Sequence, residues 1–546
     1  MNKRTEPPVP LNNLSRRELL GTGLGLSALG STPLTGAGLA HAAKAPAAPF
    51  DSLRDYIAML DSRGLLVRIP RVNQDEFEAT ALMYRFRDWN GMNGSPTILI
   101  EKIRQDGKWY KGPLIINESG HLYSECLAFG LEPIDEGPLV TEPFQSYRKA
   151  RSHFLEIVEE NGGKYPRIPP IEVSADEAPC KEVVLHGDDV DLTKFQFIKC
   201  NPSDAGRYIN TGVVFTHEEK RGTNYGTYRC HLRGPREIGV NSEPGQTGST
   251  MLNAMRLRGE KIAKVSIVLS PDPYVWTVSG NRLVNRREGP VDELAVAGGL
   301  AGRPLKVVKS ETNDHLVPAN SEIIIEGEIP LDDRRPEGPY GEMYGYQGRI
   351  KDKQYWMRVT AVTHREDPWI MNNFTGLQRG TLMAASHALG FYRLKKDIPS
   401  MVDYFGDNRA VGMTFVSINK TRAGQGLEVA KKVAQHYFFA KIVVVVDADL
   451  DVTNQEQMLA ALGARWQPLG STHIFERLPG LPLDPGAKKR GLTNKIAIDA
   501  TRQFPGENGP AVYPKMNRAL LETGAPDAMS RVDEKWGELI RSWRIS

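Results

Sequence analysis

Glu337 and Glu342 stand five residues apart in Glu337-Gly-Pro-Tyr-Gly-Glu342, and the residues between them admit neither helix nor regular strand. Gly338, Pro339 and Gly341 force a tight, irregular loop, because proline fixes φ and lacks an N–H while glycine reaches backbone angles that other residues avoid. Such a loop holds two carboxyl groups in place. Two acids brought close do not both ionise freely, so one is pushed toward a raised pKa, as a general acid near neutral pH requires. A solvated turn with two surface acids has the same spacing, so the choice falls to the rest of the chain. Upstream, Thr223-Asn224-Tyr225-Gly226-Thr227-Tyr228-Arg229 supplies an arginine able to pair with one carboxylate and hold it ionised, leaving the other to carry a proton. An ordinary ion pair on a sheet is the plainer reading of that arginine. Asn224 and Arg229 differ in parity, so in a regular strand they face opposite sides; if both serve one site, a bulge near Gly226 is expected.

These groups need a body to position them. At 546 residues the chain exceeds what one core supports, which argues for two or three domains. A hydrophobic content of 40% and a charged content of 25% are those of a globular protein and exclude a disordered or coiled-coil body. The net charge of +3 is small, and no block of Lys and Arg interleaved with aromatics marks a nucleic-acid groove; Lys488-Lys489-Arg490 reads as a solvated loop. Cys126, Cys180, Cys200 and Cys230 form no C-x-x-C pair and read as buried free thiols. Apolar runs such as Lys441-Ile-Val-Val-Val-Val446 are far too short to cross a bilayer, so no stable membrane insertion is expected.

Three regions separate along the body. Residues 46–170 combine an amphipathic start, Leu53 to Leu60, with strand-like segments at 97–101 and 113–117, and read as a small α/β unit. Residues 171–365 are dense in β-type segments, at 182–185, 211–215, 264–269 and 322–326, joined by Gly- and Pro-bearing turns, which suggests a barrel or sandwich. From 366 to 546 strands and helices alternate, as in an α/β layer domain. Ahead of all three, Ser15-Arg16-Arg17-Glu18-Leu19-Leu20, a weakly apolar run and Ala40-His41-Ala42 resemble a twin-arginine export signal over residues 1–42, which predicts a periplasmic or otherwise exported protein.

Asn224 through Arg229, Glu293 in Val291-Asp-Glu-Leu294, Ser310-Glu-Thr-Asn-Asp314 leading to Val317-Pro318, and Glu337 to Met343 occur in the order and near the spacing of the UbiD family of reversible decarboxylases, which includes ferulic acid decarboxylase. Val444 to Asp451 and Lys495 to Thr501 resemble the same family's C-terminal domain. The resemblance implies an α/β (α+β) fold: an N-terminal α/β unit, a central split β-barrel that binds the flavin, and a C-terminal α/β domain that dimerises. It implies a carboxy-lyase acting on an aromatic or α,β-unsaturated carboxylic acid with prenylated FMN, supplied by a flavin prenyltransferase. Loss of CO₂ from an sp² carbon leaves an undelocalised carbanion, and side chains offer no sufficient electron sink, so a cofactor suits the chemistry. By the same resemblance Glu342 is the proton donor, and Arg229 and Glu337 are its partners in a Glu-Arg-Glu network. Asn224 and Glu293 are ligands of a divalent cation, usually Mn2+, at the cofactor phosphate, with K+ nearby. A homodimer or larger homo-oligomer is implied as well.

One position departs from the family. A histidine commonly follows the arginine as third metal ligand, yet residues 238–250 contain none; the slot falls on Gln246 or Thr247, and Gln246 offers an amide oxygen at the cofactor-binding position. His231, on Arg229's strand face, is a second candidate, against the reading of an ordinary core or surface histidine. The altered slot motivates an alternative function, an exported flavin-binding protein on the same scaffold with a redox or ligand-binding role and no decarboxylase activity. Retention of Arg229, Glu337 and Glu342 favours the enzyme.

Overall fold

The computed structural model describes residues 45–135, 137–138, 141–284 and 289–542, so the leader expected over residues 1–42 lies outside the described residues. Two units are distinguished, a body from Ala45 to Ala511 and a C-terminal segment from Val512. The segment carries the helices Asn517–Gly524 and Ala528–Ser542; Met529, Val532, Trp536, Leu539 and Ile540 of the second are exposed.

The body begins with the helix Leu53–Ser62, capped by the Ser52 hydroxyl accepting from the Asp55 N–H. A mixed sheet of five strands follows, Leu66–Ile69, Val72–Asn73, Thr97–Gln105, Lys108–Ile116 and, from far along the chain, Ile370–Asn372. That last strand lies beyond residue 366 yet pairs in parallel with Lys108–Ile116.

The central region is a closed antiparallel barrel. Its strands run in the order Ile323–Pro330, Ile262–Leu269, Tyr208–Glu218, Gly222–Gly234, Glu237–Val240 and Lys351–His364, and the last pairs back onto the first. Of the two β architectures open to the sequence, the barrel is realised, because the long strand Lys351–His364 spans enough residues to meet both ends of the sheet. Ile98, Ile100, Leu114 and Ile116 of the first sheet share one apolar cluster with Val214, Ile267, Ile325 and Met357 of the barrel. Each such side chain stabilises the fold by roughly 1.5–3 kcal/mol through burial. The four cysteines are buried and free.

The C-terminal layer opens with the helix Ala384–Asp397 and centres on a sheet ordered Met401–Gly406, Met413–Ile418, Ile442–Asp447, Leu492–Asp499 and Thr472–Pro479. The three inner strands are parallel, and the central one, Ile442–Asp447, is apolar over five successive residues, as a strand covered on both faces is. The helix Gln425–His436 buries Gly426, Val429, Ala430, Val433 and Ala434, one stripe at helical spacing. Among the described residues no helix is long and apolar enough to cross a membrane.

The helix Glu293–Ala301 lies unusually close to the backbone of residues 166–168. A Cβ on Gly299 would stand 1.9 Å from the Pro166 carbonyl oxygen, and one on Gly298 would stand 2.5 Å from that of Ile168. In a free helix Gly→Ala stabilises by about 1 kcal/mol. Here the opposing atom is backbone and cannot swing aside, so the clash wins. Gly299→Ala is expected to destabilise the protein by about 1–3 kcal/mol, read as a lowered denaturation midpoint.

Candidate active site

Arg229 lies on the strand Gly222–Gly234, whose two edges differ. One edge pairs with Tyr208–Glu218 along most of its length, while pairing with Glu237–Val240 on the other begins only at Cys230. The stretch from Gly222 to Tyr228 therefore presents one edge that no strand among the described residues covers. The bulge expected near Gly226 is absent: the register is unbroken from Gly222 to Tyr228, and the shift falls in the neighbouring strand between Ile209 and Gly212. Asn224 and Arg229 accordingly belong to opposite faces, Asn224 sharing the parity of Tyr228, Cys230 and Leu232, which enter the barrel's apolar cluster. The displaced bulge serves the site from the other strand. It carries Asn210, whose Oδ1 accepts from the Tyr340 hydroxyl at 2.7 Å, and the Tyr340 ring lies 4.3 Å below the Arg229 guanidinium.

The acids arrive on a loop anchored by the barrel's closing strand. Arg335–Glu337 is a short strand in which Glu337 is the cross-strand partner of Lys351. Gly338 then turns the chain at φ +91, a conformation that disfavours any side chain. The Gly341 N–H donates to Asp204 Oδ1 at 2.9 Å and the Glu342 N–H to the Tyr346 carbonyl at 2.8 Å. Arg229 Nε donates to Glu337 Oε1 at 3.0 Å and Nη2 to Glu337 Oε2 at 2.8 Å, a bidentate pair. Its Nη1 donates to Glu342 Oε1 at 2.7 Å. The two acids are therefore unequal: Glu337 is gripped through both oxygens, Glu342 through one. Tyr208 donates its hydroxyl to Glu337 Oε1 at 3.2 Å, and the ring of His231 stacks on Tyr208 with centroids 4.7 Å apart.

Burial opposes every charge in this cluster, and the pairing decides which persist. Burial pushes Glu337 up, but the bonds and charge of Arg229, helped by Lys351 and Tyr208, more than reverse that and hold its carboxyl below the usual range. Burial likewise opposes the Arg229 charge, and Glu342 and Glu337 outweigh it, raising its pKa above the ordinary value. Lys351 moves the other way, lowered to about 8 by burial and then by Arg229, against the raising pull of Glu342 and Glu337.

At the far end of the same uncovered edge stand Asn224 and Glu293, about 16 Å from Arg229 at the usual rise along a strand. Glu293 is the first residue of its helix, and its Oε2 accepts from the Tyr225 N–H at 2.8 Å, which brings the carboxylate beside Asn224. Asn224 is 3% exposed, and its side-chain nitrogen has no hydrogen-bond partner among the described residues. The amide oxygen and the carboxylate are hard donors of the kind a divalent cation takes, while the unpartnered amide nitrogen is a donor and fits a bound group that supplies an acceptor oxygen. The Gln246 amide oxygen accepts from the Glu243 N–H at 2.6 Å at the start of the helix Thr247–Leu257, and His231 sits under Tyr208 beside Arg229. No cluster of three or more His, Cys, Asp or Glu side chains among the described residues is arranged to hold a metal ion.

Four residues join the site that the sequence reading passed over. Lys351 Nζ donates to Asn241 Oδ1 at 2.9 Å and forms an ion pair with Glu243; it lies 3.7 Å from Glu342 Oε1 and 3.9 Å from Glu337 Oε2. Glu243 is also paired with Arg490. Lys488-Lys489-Arg490 is therefore more than a solvated loop, since its arginine reaches from the C-terminal layer to the barrel's charged cluster. Only the alternation of sign between Glu337 and Lys351 across a hairpin would have hinted at Lys351.

Comparison with known proteins agrees with this architecture. Residues 171–378 match the 3-octaprenyl-4-hydroxybenzoate carboxy-lyase Rift-related domain (UbiD), and residues 380–500 match the C-terminal domain of the same enzymes, the two spanning well over half of the chain. Among solved structures, the vanillic acid decarboxylase of Sedimentibacter hydroxybenzoicus in its open form is 26% identical with a TM-score of 0.73, the match covering 90% of this chain and 100% of that one. The UbiD-class enzyme HmfF from Pelotomaculum thermopropionicum, in complex with FMN, is 25% identical with a TM-score of 0.70 over 86% of this chain and 98% of its own. An evolved dimeric form of HmfF in complex with prFMN is 24% identical with a TM-score of 0.68, over 86% and 97%.

The Glu337 pairing sets a pH dependence of stability. Its folded pKa lies below the ordinary 4.5, so its contribution is complete above that value and is lost as the pH falls through the folded pKa. Removing one partner of a buried pair costs about 3–5 kcal/mol at neutral pH. Denaturation of wild type and Glu337→Gln is expected to differ most near pH 7 and to converge below the ordinary carboxyl pKa of 4.5.

Proposed function

We propose, from the premise that this chain belongs to the UbiD family of carboxy-lyases, that it catalyses the reversible non-oxidative decarboxylation of an aromatic or α,β-unsaturated carboxylic acid with prenylated FMN. The observation that carries this reading is the unequal grip of Arg229, which holds both oxygens of Glu337 and a single oxygen of Glu342. Glu337 keeps Arg229 charged and in place. Glu342, through the oxygen outside that grip, is the group able to move a proton. In the decarboxylation direction the C–C bond to the carboxyl group breaks, CO₂ leaves, and the proton of Glu342 passes to the carbon that retains the electron pair. Carboxylation runs the same transfer backwards. Prenylated FMN, when bound, supplies the electron sink for that pair, which side chains lack. The known binding of FMN and prFMN by HmfF supports the cofactor.

Asn224 and Glu293 would hold a divalent cation, manganese by the family's usage, at the cofactor's phosphate end, with potassium nearby. Gln246 follows Glu243 on the same loop, and its amide oxygen would serve the cofactor only on releasing the Glu243 N–H that it now accepts. The proposal extends to the N-terminal segment: its resemblance to a twin-arginine signal supports an enzyme loaded by a flavin prenyltransferase, folded, and then carried to the periplasm or otherwise exported, and the family resemblance supports a homodimer or larger homo-oligomer.

Glu342→Gln is expected to lower kcat for CO₂ release about 10²–10⁴-fold, with the flavin absorption spectrum of the protein, co-produced with a flavin prenyltransferase, unchanged. Unchanged turnover would remove Glu342 from its role. Bound plain FMN with no turnover would favour a flavin-binding protein without decarboxylase chemistry.

A further inference from the structure

The bonds from Arg229 to the acids lie in the plane of the guanidinium: Nε and Nη2 reach Glu337, and Nη1 reaches Glu342. In-plane bonds fix where the carboxylates stand around the edge and leave the tilt of the plane to whatever packs on its faces. Tyr340 packs on one face, its ring centroid 4.3 Å from the guanidinium carbon. Tyr340 belongs to the acid loop itself, between Glu337 and Glu342. The loop therefore meets the guanidinium on both acids in the plane and on the tyrosine beneath it.

A ring on a loop serves as a platform only if the ring is itself held. Tyr340 is buried, and burial pushes its phenol well above the ordinary value, so it remains a neutral donor. Its single proton goes to Asn210 Oδ1 at 2.7 Å, so the Thr375 hydroxyl, 2.9 Å away, donates to the phenol oxygen. Asn210 Nδ2 donates in turn to Asn372 Oδ1 at 2.6 Å. Asn372 ends the strand Ile370–Asn372, which pairs with Lys108–Ile116 of the first sheet. The segment after it reaches the acid loop directly, since a Cβ on Gly376 would stand 2.6 Å from the Glu342 carbonyl oxygen. The ring under Arg229 is thus pinned by a side chain of the neighbouring barrel strand that is itself tied to the first sheet.

We propose that Tyr340 is a positioning residue for the proton transfer: its ring sets the tilt of the Arg229 guanidinium, and thereby the direction in which Glu342 is presented, while Asn210 acts through it by holding the phenol. The effect on turnover rests on the decarboxylase reading. The hold on Arg229 does not.

Two measurements on the same variants test this: hydrogen exchange at the Arg229 Nε–H in the cofactor-free protein, followed by NMR, and kcat for CO₂ release by the cofactor-loaded enzyme. Tyr340→Leu removes both platform and anchor. Exchange is expected to rise about 2–30-fold, the span of one cation–π contact, and kcat to fall about 10²-fold, the scale of a misplaced reacting group. Tyr340→Phe keeps the ring and should restore most of both. Asn210→Leu should resemble Tyr340→Phe, and the double variant Tyr340→Phe/Asn210→Leu should be no worse than Asn210→Leu alone, because the amide acts through the hydroxyl. Tyr84→Leu, at an exposed tyrosine of the helix Glu78–Asn90, should change neither reading. If Tyr340→Leu fails to fold, the cycle of Tyr340→Phe and Asn210→Leu carries the test by itself. Wild-type exchange and kcat in Tyr340→Leu, a loss in Tyr340→Phe as large as in Tyr340→Leu, or additive effects of Tyr340→Phe and Asn210→Leu would each overturn the proposal. The expected exchange changes without CO₂ release from wild type would overturn the decarboxylase reading and leave the hold of Tyr340 on Arg229 standing.

Discussion

The bidentate bond from Arg229 to Glu337 is the constraint on which the rest of the site depends. A guanidinium buried to 9% exposure persists only if its donors are filled, and here two carboxylates fill them from more than a hundred residues further along the chain. The barrel makes that meeting possible. The strand that closes it, Lys351–His364, pairs with Ile323–Pro330 and Glu237–Val240 and also carries the short strand ending in Glu337. Closure of the barrel and assembly of the acid pair are consequences of one set of backbone hydrogen bonds.

That arrangement also makes two chemically identical side chains different. Glu337 has Tyr208 and both arms of the guanidinium, and its charge is favoured; Glu342 has one arm and a backbone fixed by Tyr346. Gly348 packs against it so closely that a Cβ there would stand 2.6 Å from the Glu342 Cγ. The same network runs outward through Lys351 and Glu243 to Arg490, so the electrostatics of the site extend beyond the barrel into the C-terminal layer. A charge on that loop is a part of the site although the chain passes nowhere near the acids in sequence.

Much of the fold could be read locally. Apolar runs such as 441–446 and 264–269 became strands, and the stripe from Val429 to Val433 became the buried face of a helix, because period and apolarity act on neighbouring residues. The acids, the arginine, Asn224 and Glu293 were legible through motif order. The bulge was not. Parity located the problem correctly, but the extra residue was accommodated at Asn210 in the partner strand, and a strand's own sequence carries no record of which partner absorbs an irregularity. Lys351, Asn241, Glu243 and Arg490 were missed for a related reason, since none lies in a local pattern that distinguishes it from a surface charge.

The sequence by itself determined the chemistry available to this protein: two carboxylates on a Gly- and Pro-rich loop, an arginine on a strand, and an amide and a further carboxylate at Asn224 and Glu293, in the order of the decarboxylases it resembles. Propensity, spacing and side-chain type are properties of short segments and can be read there. The tertiary structure alone decided which acid is held charged, which edge of the strand stays uncovered, and which lysine and arginine join them. Those outcomes depend on distances of a few ångströms between residues up to 247 positions apart, and only the folded chain sets such distances.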